Sequence, residues 1–405
     1  MKASWRRNLA AMWVGQLCAI LGFSFVLPFL PLYIQQLGVK GTASIALWSG
    51  VTTSVSSLSL AFFSPIWGAV ADRRGRKPMV MRAMFGSSAV IAGMSFAQNV
   101  WELLGLRVLQ GCLSGTVTAS TALIASITPR ESMGFALGMM QMAVFSGSSV
   151  GPYIGGVLVD SFGYRHSFFL TGIMLALGGF VVLFLVTERF VPKAVVPGTA
   201  RGSIFRDLVE TVRDPQIAAL IGVLALVQFG SMVVAPILPL FIQALAGSRE
   251  NVATVAGQIF GVAGIAGAVS SVVIGRVSDR VGYRAILIWA TVVAGIIQAA
   301  MAFVGSTDQL LVLRAIVGLF MGGMLPTANA LIAQAVAPDR RGAAFGAAAS
   351  IASAGAALGP IVGSAIAATA GLRAVFPVTG IIFVAAGVAL VFFQLESSDP
   401  RVATS

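Results

Sequence analysis

Fourteen carboxylates and one histidine, His166, are the only side chains with which this chain could build acid–base chemistry near neutral pH. Asp72, Glu102, Glu131, Asp160, Glu188, Asp207, Glu210, Asp214, Glu250, Asp279, Asp308, Asp339, Glu396 and Asp399 all fall at the ends of apolar runs or between them. With a single histidine and no Ser/His/Asp set in plausible reach, hydrolytic catalysis is not expected. No GxxxxGK[ST] loop is present to cradle phosphates, so ATP is not the direct energy source and a gradient must be. Cys18 and Cys112 lie inside apolar runs, where packing is favoured over disulfide or metal chemistry. No cofactor or metal is expected, and no catalytic constellation marks an enzyme.

The cations are more informative. Arg107 and Arg314 lie within apolar runs, where a charge is expensive and should face the bundle interior with a partner. Arg107 can organise packing by holding backbone carbonyls, or it can stand beside a proton or substrate route. A second cluster is GAVADRRGRK, in which Asp72 is followed by Arg73, Arg74, Arg76 and Lys77, with Gly68 and Gly75 allowing tight backbone approach. Such a run can anchor a loop by charge alone. Alternatively, a carboxylate near a helix N-terminus or beside an arginine makes a contact that latches one state and breaks in another.

The elements that must position these residues follow from composition. The chain is 57% hydrophobic and 10% charged, with a mean hydropathy of +0.93. About 20 apolar residues cross a hydrocarbon core as a helix. Twelve runs qualify, at 9–30, 47–68, 79–97, 102–124, 135–159, 167–187, 216–238, 253–274, 286–304, 310–333, 343–368 and 375–394. They lack the period-two alternation of a barrel, so the expected class is an all-α membrane protein in the lipid bilayer. The first run has no small-residue cleavage site and continues into FLPLYIQQLG, so it is expected to remain as the first helix. Sorting basic residues by alternate loops puts twenty on one side and only Lys40, Arg165, Arg249 and Arg373 on the other, which predicts that both termini are cytoplasmic. The net charge of +12 is thus a topology signal, and no nucleic-acid partner is expected. A monomer is expected.

The chain also repeats itself. PFLPLYIQQLG from Pro28 returns as PILPLFIQALAG from Pro236, GAVADRRGRK from Gly68 as GRVSDRVGYR from Gly275, and LRVLQG with Arg107 as LRAIVG with Arg314. The array Gly138, Gly147, Gly151, Pro152 and Gly155 returns as Gly346, Gly355, Gly359, Pro360 and Gly363, an offset of 208, and GYRHSFFLTG from Gly163 returns as GLRAVFPVTG. An offset spanning six helices keeps the copies in the same orientation, so two six-helix bundles are expected about a pseudo-two-fold axis along the membrane normal. The expected domains are 1–187, a cytoplasmic linker 188–215, a second bundle 216–396 and a tail 397–405. In the linker, Ile204, Phe205, Leu208, Val209 and Val212 share one face of an amphipathic helix, and Asp214-Pro215 reads as the start of the seventh span.

GAVADRRGRK, then Arg107 with Gln110 and Gly111, then the glycine-proline array ending in Gly155-Gly156 resemble motifs A, B and C of the major facilitator superfamily. The array, with twelve spans, resembles the drug:proton antiporter branch, and PFLPLYIQQLG with AQNVWELLGLRVLQG resembles its bacterial multidrug efflux members. The resemblance covers essentially the whole chain. It implies a latch at Asp72 and Arg76, with a weaker copy at Asp279 and Arg280, and a cation near the proton or substrate route at Arg107, with Arg314 at the equivalent depth. Many such antiporters carry an acidic residue facing the cavity in helix 1 or 4, and this sequence has none. Glu102, Asp72 and His166 are the remaining proton candidates. Gln16, Phe23, Gln110, Gln141, Phe145, Gln228, Phe229, Met232, Gln258, Phe260, Met321, Met324 and Asn329 are candidates for a cavity of amides, aromatics and methionines, a surface suited to amphipathic small molecules. The expected function is multidrug efflux by alternating access across the bacterial inner membrane in exchange for protons. A facilitator or uniporter of narrower range is the alternative within transport, and a channel or receptor the alternative outside it.

Overall fold

The structure, a computed structural model, describes residues 2–188, 190, 215–247, 251–336 and 341–392. Every regular element among them is helical. In the first part of the chain these are α1 (Lys2–Val26), α2 (Leu30–Gln36), α3 (Thr42–Arg74), α4 (Lys77–Met94), α5 (Val100–Leu113), α6 (Thr116–Ile127) and α7 (Met133–Leu185). The remainder forms α8 (Pro215–Val234), α9 (Leu238–Ala246), α10 (Val252–Val281), α11 (Tyr283–Ala300), α12 (Thr307–Ala335), α13 (Arg341–Ala370) and α14 (Val375–Phe392). Residues 204–212, expected to form the amphipathic linker helix, and the tail 397–405 lie outside the described residues.

Ten stretches among the described residues are long and apolar enough to cross a membrane. One of them, α7, has 53 residues, about 80 Å of helix against a hydrocarbon core of about 30 Å. At Gly163 its backbone leaves helical geometry (φ 79, ψ 165), a conformation that a side chain would strain, and this bend separates the fifth run from the sixth. The fourth run departs from expectation. Rather than one helix over 102–124, α5 ends at Leu113, Ser114 is extended, Gly115 is left-handed (φ 107, ψ 26) and α6 starts at Thr116. Both sides belong to one apolar stretch, Val100–Ile127, so hydropathy does not register the break.

Two compact units result: Met1–Ala194 with Pro239–Gly264, and Val195–Leu238 with Ile265–Ser405. The core of the first is built from Met12 and Ala19 of α1, Val80 and Met84 of α4, Leu123 and Ile124 of α6, and Ala136, Met140 and Val182 of α7. In the second, Leu220 and Leu224 of α8 pack with Leu287 and Ala294 of α11, Leu331 and Ile332 of α12, Ala347 of α13 and Phe383 of α14. Large apolar side chains also face outward, among them Phe62, Phe184, Trp289 and Phe303. In lipid that exposure carries no hydrophobic penalty, so helix association rests on close packing and interhelical hydrogen bonds.

Candidate functional site

The turn between α3 and α4 is held by a residue far away in sequence. Gly75 closes α3 with φ 94 and donates its N–H to Ala71 O at 2.9 Å, leaving the first amides of α4 without intrahelical acceptors. The Glu188 carboxylate fills that role: Oε1 accepts from Arg76 N at 2.9 Å, and Oε2 accepts from Arg76 N at 3.0 Å and Lys77 N at 2.8 Å. The Lys77 ammonium crosses the other way, donating to Leu183 O at 2.8 Å and Val186 O at 2.7 Å, the last carbonyls of α7. Anion at an N-terminus and cation at a C-terminus each complement the helix dipole. Arg76 NH1 donates to Ala122 O of α6 at 2.6 Å. Asp72 is exposed, and no hydrogen bond ties it to another described residue, so the carboxylate engaged at this turn is Glu188. The second repeat keeps half of the device, since Arg284, in the place of Lys77, donates to Leu390 O and Val391 O at the end of α14. Arg280 is exposed.

Arg107 is 5% exposed in the middle of α5. Its Nε donates to Thr52 O of α3 at 3.2 Å, and NH1 donates to Gln110 Oε1 at 2.5 Å. Both acceptors are neutral. Gly111, one turn along, lets α5 lie against the Ser56 backbone, where a Cβ would overlap the carbonyl. Arg314, its counterpart, is only partly buried, and its Nε has no acceptor among the described residues. Glu102 is exposed at the start of α5 in a capping box: Asn99 Oδ1 accepts from Trp101 N and Glu102 N, and Glu102 Oε2 accepts from Gln98 N at 2.9 Å.

The glycine array forms a continuous face. Gly147, Gly151 and Gly155 lie one turn apart against Ile20, Ser24 and Phe25 of α1, and a Cβ on Gly155 would stand 2.7 Å from Phe25 C. The second unit repeats this contact: Gly355, Gly359 and Gly363 lie against Phe229, Met232 and Val233 of α8, and a Cβ on Gly363 would stand 2.7 Å from Val233 C. Gly138 and Gly346 contribute to neither face, since a Cβ on either meets nothing within 4 Å. On the adjoining side of α7, Gly156 meets the Ala253 backbone, while Gly257 and Gly264 of α10 meet Pro152 and Ser149. At the end of that contact the Asp160 carboxylate accepts from Thr254 N at 2.7 Å, Thr254 Oγ1 at 2.6 Å and Ala253 N at 3.3 Å, capping the N-terminus of α10. The amides of Gln35 and Gln243 bond each other reciprocally at 2.7 and 3.1 Å. All of these contacts lie within the first unit, except the α13–α8 face, which lies within the second.

The family model of the Major Facilitator Superfamily matches residues 12–309 and again 220–405. The chain belongs to the major facilitator superfamily. It is 38% identical over 377 residues to the multidrug resistance protein MdtG of Escherichia coli O1:K1, a match covering 93% of this chain and 91% of that protein. Among solved structures it is similar to a bacterial homologue of the human lysosomal transporter Spinster, in an inward-facing and occupied conformation, with a TM-score of 0.77 at 16% identity over 97% of this chain and 98% of that one. It is also similar to the human organic anion transporter MFSD10, with a TM-score of 0.70 at 19% identity over 95% and 99% of the two chains. Like its superfamily, this chain is a multi-pass membrane transporter and not an enzyme.

As a major facilitator, the chain distributes its cavity candidates unevenly. Gln141, Phe145 and Gln258 are exposed, while Phe23, Gln228, Phe229, Met232, Phe260, Met321 and Asn329 are half-buried. Gln110 is buried and holds Arg107. Gln16 is fully buried, with both amide atoms unpartnered among the described residues. Met324 is 2% exposed and packs in the core of the second unit, so its side chain is structural. Three contributors were not singled out from sequence: Glu188, Asp160 and the Gln35–Gln243 pair. Gln35 and Gln243 stand at the same place in the two copies of one repeat, and that coincidence was the available signal.

Proposed function

We propose that this major facilitator is a secondary-active multidrug efflux transporter of the bacterial inner membrane, exporting amphipathic small molecules by alternating access. The observation that carries the reading is the 38% identity to MdtG across 93% of the chain, which includes the glycine face built from Gly147, Gly151 and Gly155. Twelve crossings follow if the bend at Gly163 divides α7 into two and α4, apolar but only 18 residues long, also spans. Those crossings form two six-helix bundles, residues 1–187 and 216–396, about an axis along the membrane normal. The reciprocal bond between the equivalent residues Gln35 and Gln243 is what such an axis produces where it passes between copies. Both termini lie in the cytoplasm, on the side of the basic loops, and the protein acts as a monomer.

Alternating access breaks one set of end contacts as it makes another. The Asp160 cap, the Gln35–Gln243 pair and the α7–α10 glycine contact hold one end together. In the opposite state, Asp72 and Arg76 supply the latch at the other end, with Asp279 and Arg280 as a lesser copy. Exchange is for protons, with Arg107 and Gln110 beside the route. Reconstituted protein should accumulate a lipophilic fluorescent cation in inside-out vesicles only under an imposed pH gradient. Equal flux without the gradient would overturn proton exchange and favour a facilitator, whereas no flux in either condition would overturn multidrug transport.

A further inference from the structure

The two repeats diverge at the break between α5 and α6. The second repeat has an unbroken α12 over the corresponding positions, with helical Gly322 in the place of Gly115. Beside the break lies a cavity of about 170 Å³, walled by Ser64, Trp67, Arg76, Arg82, Ser114 and Thr118 together with apolar neighbours. Arg82 enters from the second turn of α4. Its guanidinium lies 4.0 Å from the Trp67 ring centroid, and its NH2 donates to Ser114 O at 3.1 Å, at the break itself. Trp67 is fixed in turn by donating Nε1 to Cys112 O at 2.7 Å. The remaining Arg82 donors, Nε and NH1, are shielded from solvent and have no acceptor among the described residues. Arg76 brings a second guanidinium to the same wall, and among the described residues no Asp or Glu lines the cavity. In the second repeat the position of Arg82 is Trp289, 68% exposed, so the arginine and the broken helix occur together in the first.

Two guanidiniums facing one low-dielectric space repel each other, and a buried donor without an acceptor costs the desolvation of its N–H. An anion satisfies both demands at once, and guanidinium–oxyanion hydrogen bonds are among the stronger ones in proteins. We propose that this cavity binds one phosphate-type oxyanion through Arg82 Nε and NH1, with Arg76 completing the positive wall. The group is inorganic phosphate or the headgroup phosphate of an anionic lipid. Because Arg82 also holds the Ser114 carbonyl, occupancy fixes the α5–α6 break and with it the helix that carries Arg107.

The test uses the full chain in nanodiscs. In phosphatidylcholine alone, adding inorganic phosphate at constant ionic strength should raise the midpoint of thermal unfolding saturably, by about 2 °C or more. In discs containing phosphatidylglycerol and no phosphate, a rise of similar size that phosphate does not produce assigns the site to lipid. Arg82→Gln should lose the response. Ala71→Phe, which fills the cavity and keeps both guanidiniums, should lose it too and serves if Arg82→Gln fails to fold. No rise in either arm, or an equal rise in the wild type and in folded variants, overturns the site.

Discussion

Gln35 Nε2 donates to Gln243 Oε1 at 2.7 Å while Gln243 Nε2 donates to Gln35 Oε1 at 3.1 Å, so two residues 208 apart in sequence satisfy each other's amides. Replacing one leaves its partner's amide unpaired in a half-buried place, whereas replacing both leaves nothing to satisfy. Gln35→Ala and Gln243→Ala should each destabilise by about 1 kcal/mol, and the double variant by less than their sum. Thermal unfolding of the four proteins measures the coupling, and strict additivity would show that the pair does not act as a unit.

Asp160 caps α10 with three hydrogen bonds. Asp160→Ala should remove about 1.5 kcal/mol of local protection from the Ala253 and Thr254 amides, roughly a tenfold rise in hydrogen exchange there. Unchanged exchange at these two amides would mean that the cap contributes nothing.

The glycine array separates into positions that touch and positions that do not. Gly155→Ala and Gly363→Ala force a Cβ into backbone and should each lower stability by about 1–3 kcal/mol and reduce drug efflux from cells. Gly138→Ala and Gly346→Ala meet open space in a helix and should be neutral or stabilising by about 0.5–1 kcal/mol. Equal loss at all four positions would count against a packing role.

Glu102 stands where the second repeat has Gln309, and both cap: Gln309 Oε1 accepts from Gly305 N at 2.9 Å beside the Ser306 N-cap. Glu102→Gln should therefore change stability by less than about 0.5 kcal/mol and leave efflux and its response to an imposed pH gradient as in the unsubstituted protein, whereas Glu102→Ala loses part of a cap worth about 1 kcal/mol. Loss of gradient dependence in Glu102→Gln would instead make this carboxylate a proton carrier.

Among the described residues, the Arg107 guanidinium donates only to the neutral acceptors Thr52 O and Gln110 Oε1. Arg107→Lys keeps the charge but cannot reach both acceptors with a fixed fork, so efflux measured by dye retention should fall at least tenfold while expression persists. Full activity in Arg107→Lys would mean that charge alone is needed there.

What the sequence determined is what chain-local physics fixes. Runs of about 20 apolar residues have to become spanning helices in lipid, because no other local structure satisfies their backbone. The repeat carried the equivalence of Gly155 with Gly363 and of Lys77 with Arg284, and both pairs do the same work in the structure. Gly147, Gly151 and Gly155, spaced by four, share a helix face that meets α1, whereas Gly138, in the same array, meets open space, because spacing says which residues share a face and not how far a neighbour runs along it. The tertiary structure decided which charge meets which helix end. Glu188 lies 112 residues from Arg76, and Asp160 lies 94 from Thr254. The free amides they cap exist only once α4 and α10 have formed and packed, so the census of carboxylates could place them at helix ends without assigning them a partner. Arg82 is the same case: as a basic residue near a span's edge it reads as a topology signal, and it becomes a cavity wall only because Gly115 breaks the helix opposite.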